Sequence, residues 1–71
     1  MQDSDDTLIS AVGFVCRNSL SSPARDELIA QMVRSHAARD YVHISKSADR
    51  HKLIAEKVGA LTKQLQKRQY I

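Results

Sequence analysis

The stretch SADRHKLIAEKVGALTKQLQKRQ, residues 47–69, decides the fold. Within it Ile54, Val58, Leu61 and Leu65 recur at intervals of four, three and four. At about 100° per residue that spacing puts all four on one face of an α-helix. His51 and Arg68 continue the register at its two ends, while Lys52, Glu56, Lys63 and Lys67 occupy the far side. Leu53 and Ala60 form a thinner second apolar strip. The seam is about two heptads long, shorter than the three to four that argue for a coiled coil. Ser45 or Ser47 is positioned to cap the first turn. A helix of this length spans about 34 Å, more than either helix before it. Its C-terminal part, with Leu61, Leu65, Tyr70 and Ile71, is therefore expected to overhang a compact bundle.

Two shorter helices precede it. Ser22-Pro23 is a strong start signal, since proline's fixed φ and missing N–H suit the first helical position. From there Leu28, Ile29, Met32, Val33, His36 and Ala37 share a face to about Arg39. Upstream, Ser4, Asp5 and Asp6 supply oxygen atoms and negative charge for a helix start. Leu8, Ile9, Val12, Val15, Cys16 and Leu20 follow at helical spacing, with Phe14 on the other side and Gly13 in mid-helix. Tyr41-Val42-His43-Ile44 has β character but is too short to build a sheet. It reads as an extended connector whose Val42 and Ile44 cover the core. The expectation is one all-α domain over residues 1–71, a three-helix bundle with helices at about 6–20, 23–39 and 47–69. Its core would hold Leu8, Val12, Val15, Leu28, Ile29, Met32, Val33, Ile54, Val58 and Leu61.

A chain of 71 residues buries only about 60% of the surface its unfolded form exposes. Small domains usually offset this with disulfides, a metal or self-association. The single cysteine, Cys16, excludes an internal disulfide and points to a reducing compartment, with the cytoplasm as the expected location. No apolar run approaches a membrane span, and the start is acidic where a signal peptide would be basic. The net charge of +3 is unevenly spread: residues 1–22 carry −2, residues 23–44 balance, and residues 45–71 carry +5.

Catalysis is not expected. No nucleophile is paired with a base and no glycine-rich phosphate loop is present. Cys16 lies on an apolar face, where a thiol behaves as a small hydrophobe. His36, Asp40 and His43 have metal-ligand spacing, with water or His51 as a fourth ligand. Helix 2 ends before His43, however, and His36 reads better as a core-edge imidazole bonded to a carbonyl or to Asp40. No metal and no cofactor are expected.

Two binding roles remain. Protein–protein contact is preferred: a small regulatory or adaptor protein, self-associating as a homodimer and able to meet a hetero-partner. Its interface would use Phe14, Leu53, Ala60, Leu61, Leu65, Tyr70 and Ile71, the apolar positions outside the core faces or on the overhang. The alternative is a nucleic-acid-binding regulator presenting Lys46, Arg50, Lys52, Lys57, Lys63, Lys67 and Arg68 to phosphates. Against it, those cations are spread around the helix, and the long connector before helix 3 does not suit a helix-turn-helix.

Overall fold

The structure, a computed structural model, describes residues 4–71. It contains three helices, α1 (Ser4–Asn18), α2 (Pro23–Arg39) and α3 (Ser47–Lys67), and no strand among the described residues. The all-α three-helix expectation holds, with α2 at its expected limits and α1 starting and ending about two residues early. None of the described helices is long and apolar enough to cross a membrane. Asp3, part of the acidic start, lies outside the described residues.

Local chemistry explains the boundaries. Ser22 caps α2 with extended backbone, its Oγ accepting from the Arg25 N–H at 3.1 Å, and Pro23 takes the first helical position. The start of α3 differs from expectation. Lys46 is the cap residue and no side chain bonds the free N–H groups there, so neither Ser45 nor Ser47 serves. The connector is also not extended. Asp40 and Tyr41 donate to the Ala37 and Ala38 carbonyls, and Ile44 donates to the Tyr41 carbonyl at 3.1 Å. Those bonds curl the chain into a turn that leaves Val42 73% exposed instead of covering the core.

The end of α3 is closed by the αL device of a Schellman motif. Gln69 sits at φ 62°. Its N–H reaches the Gln66 carbonyl, and the Tyr70 N–H reaches the Leu65 carbonyl at 3.0 Å. This reversal sends the Tyr70 ring back onto α1. There it lies so close to Gly13 that a Cβ on that glycine would meet the Tyr70 hydroxyl at 2.8 Å. Gly13 thus admits an aromatic side chain.

The core consists of Leu8, Ile9, Val12, Ile29, Val33, Leu61 and Leu65, with Val15, Cys16, Met32, Val58 and Tyr70 packed against it. Ala37 is also fully buried. Three expectations need correction. Leu65 is a fully buried core residue, as is Leu61, so neither can form a free interface. Leu28 is 47% exposed, because α2 turns Ile29, Val33 and Ala37 inward and Leu28 falls to one side. Ile54 is only half-buried.

Candidate protein-binding surface

One ionic cluster sets how the three helices register against each other. Asp5 in the first turn of α1 accepts from Lys57 Nζ of α3 at 2.8 Å and pairs with His36 Nε2 of α2 at 2.9 Å. Lys57 also lies 3.9 Å from Asp40, just past the end of α2. The Asp5, His36 and Lys57 side chains are mostly buried, Asp5 being 18% exposed, whereas Asp40 is 45% exposed. In that setting charge-assisted bonds are stronger than at an open surface. The Lys57 ammonium, and then His36, hold the Asp5 carboxyl below its ordinary value. The Asp5 bond in turn raises Lys57. His36 is thus a core-edge imidazole as expected, but its partner is Asp5, not Asp40 or a carbonyl. Among the described residues no three His, Cys, Asp or Glu side chains converge as metal ligands would.

This cluster reverses the expected overhang. Lys57 lies mid-way along α3, yet it is level with the beginning of α1 and the end of α2. From there α3 runs parallel to α1, and at its far end Cys16 Sγ donates to the Tyr70 carbonyl at 3.4 Å. The C-terminal half of α3 is therefore folded against the bundle. The N-terminal half, residues 47–56, projects past the other helices, and none of those ten residues is buried. The connector braces it through Arg50 Nη1, which donates to the Ile44 carbonyl at 3.1 Å.

The projecting segment carries half-buried Leu53 and Ile54, and the turn before it carries half-buried Ile44 and exposed Val42. Ile44, Asp49, Lys52, Leu53 and Glu56 line a shallow groove of about 440 Å³. A second groove of about 560 Å³ runs between α1 and α2, with Leu8, Ala11, Leu28 and Met32 as its apolar lining and His36 and Arg39 toward one end.

The residues singled out from the sequence separate into distinct places. Leu53 is on the projecting half of α3, and Ala60 is exposed on the same helix beyond Lys57. Phe14 is 62% exposed on the outer side of α1. Tyr70 is half-buried against the core and Ile71 half-exposed beside it. They do not form one surface. Among the cations, Lys46, Lys52, Lys63, Lys67 and Arg68 are exposed. Lys57 and Arg50 turn inward to Asp5 and to the Ile44 carbonyl. Val42 and Ile44 belong to the turn before α3 and not to the core, because the connector curls where an extended chain would carry them inward. No family model, no curated protein and no solved structure matches this chain.

Proposed function

We propose that this chain is a helical regulatory or adaptor protein that acts by binding protein, first of all a second copy of itself, through the projecting half of α3. The observation that carries the reading is a run of ten helical residues with none buried, which carries half-buried Leu53 and Ile54, with Ile44 of the preceding turn lining the same groove as Leu53. Apolar surface of this kind is stabilised when another molecule covers it. The charges around Leu53 suit a twofold partner. Asp49, Lys52 and Glu56 alternate in sign along the helix, so an antiparallel copy can set each Lys52 against the other's Glu56. Such complementarity selects register and partner more than it adds affinity.

The lone, half-buried Cys16 suits a reducing, cytoplasmic setting.

Sedimentation equilibrium over a wide concentration range tests the reading. The wild-type chain should associate, and Leu53→Asp should be monomeric with its circular dichroism unchanged. Leu65→Asp provides the contrast, because a carboxylate forced into that buried site should unfold the chain. A wild-type chain that stays monomeric throughout, or a Leu53→Asp variant that associates normally, would rule out this surface as the self-association site.

A further inference from the structure

The topology gathers charge at one end of the molecule in a way the linear sequence does not display. α1 and α3 run parallel and α2 runs back between their ends, so residues 17–27 and 67–71 share one pole. The Cys16–Tyr70 and Gly13–Tyr70 contacts hold the two segments together. That pole carries Arg17, Arg25, Lys67 and Arg68 against Asp26 and Glu27. Its net charge is +2, most of the +3 of the whole chain. At its tip the α1–α2 turn reads Asn18-Ser19-Leu20-Ser21-Ser22, with Leu20 91% exposed among polar neighbours. Arg25 Nη1 donates to the Ser19 carbonyl at 3.1 Å and braces that turn. Ile71, half-exposed, lies at the same end.

We infer that this pole is a docking surface for an anionic lipid bilayer, distinct from the projecting half of α3 and independent of the self-association reading. Arg17, Lys67 and Arg68 are exposed cations that would meet the headgroups, each contributing to attraction by a negatively charged leaflet. Leu20 would enter the interface, where an aliphatic side chain gains by leaving water. The leucine is what favours lipid over nucleic acid. Phosphates of a duplex attract the same cations but offer nothing to an aliphatic side chain at the apex of a serine-rich turn.

Flotation with phosphatidylcholine vesicles, with and without phosphatidylserine, tests this on the full chain. The wild-type protein should float with the phosphatidylserine-containing vesicles and not with the neutral ones. Leu20→Ser should weaken that binding about tenfold, from the lost aliphatic burial. The double variant Lys67→Gln/Arg68→Gln should weaken it about 25-fold, at about fivefold per charge. Lys46→Gln, just before the opposite end of α3, should leave it unchanged. All four side chains are exposed, so these variants should fold, which circular dichroism checks. The inference is overturned by a chain that ignores anionic vesicles, or by vesicle binding indifferent to Leu20→Ser. It is equally overturned by tighter capture on a DNA or RNA duplex that is insensitive to Leu20→Ser, which would assign the pole to nucleic acid.

Discussion

Gly13→Ala isolates the contact that closes the bundle at its C-terminal end. In an open helix interior the substitution should stabilise by about 1 kcal/mol, because alanine loses less backbone freedom than glycine. Here the new Cβ would lie 2.8 Å from the Tyr70 hydroxyl, 2.9 Å from Cζ and 3.2 Å from Cε2. The ring must therefore retreat by about 0.5–1 Å to reach ordinary contact distance, which forfeits a quarter to a half of the dispersion along that side. A half-buried tyrosine ring is worth about 2 kcal/mol of packing, so the retreat costs about 0.5–1 kcal/mol. The two effects nearly cancel, and Gly13→Ala alone should change stability by less than about 0.5 kcal/mol. In a Tyr70→Ala background the obstruction is gone and the full gain of about 1 kcal/mol should appear. With about 2.1 cal/mol/K of unfolding entropy per residue, that gain corresponds to about 7 °C in Tm for this chain. Thermal and urea unfolding of the four proteins, followed by circular dichroism, yields the coupling directly. Equal gains in both backgrounds would mean that the ring does not rest on Gly13, and the reasoning would fail.

Three further outcomes follow from other positions. Gly59 has open space where a Cβ would go, so Gly59→Ala should raise stability by about 1 kcal/mol, read as a higher urea midpoint at unchanged slope. Gln69 adopts φ 62°, a conformation that suits glycine, so Gln69→Gly should be stabilising by about 1 kcal/mol in thermal unfolding. Asp5→Asn should cost about 2 kcal/mol at neutral pH by weakening its bonds to Lys57 and His36. The pH dependence has a defined sign. A carboxyl lowered from 3.8 stabilises fully above that value and loses its contribution as the pH falls through the lower native value. Lys57, raised from 10.5, keeps its contribution below that value and loses it as the pH rises through the higher native one. The stability gap between wild type and Asp5→Asn should therefore be widest between these limits and close in acid, which unfolding at a series of pH values measures.

How far the fold could be read in the residues depended on the range of the interaction that fixes each feature. Ser22-Pro23 announces α2 because capping acts within a single turn, and the spacing of Val58, Leu61 and Leu65 announces the buried face of α3 because periodicity acts within a helix. The same periodicity cannot say where along α3 its neighbours lie. That register rests on Asp5 meeting Lys57, a pairing across 52 positions of chain, and on a left-handed residue at Gln69 that no glycine advertised. Without those two facts the long helix is expected to protrude at the end where its aliphatic residues are densest. In the structure those residues are spent on the core. Leu61 and Leu65 are covered by α1 and α2 in the register that also brings Lys57 to the beginning of α1. The segment left over is the one richest in alternating charge, and its apolar content comes from Leu53, Ile54 and the turn before it. Register thus decides which surface is free to bind. A change at Asp5, far from Leu53 in the chain, should alter the exposure of the projecting half before it alters helix content, because the pair it breaks holds helices together rather than forming them.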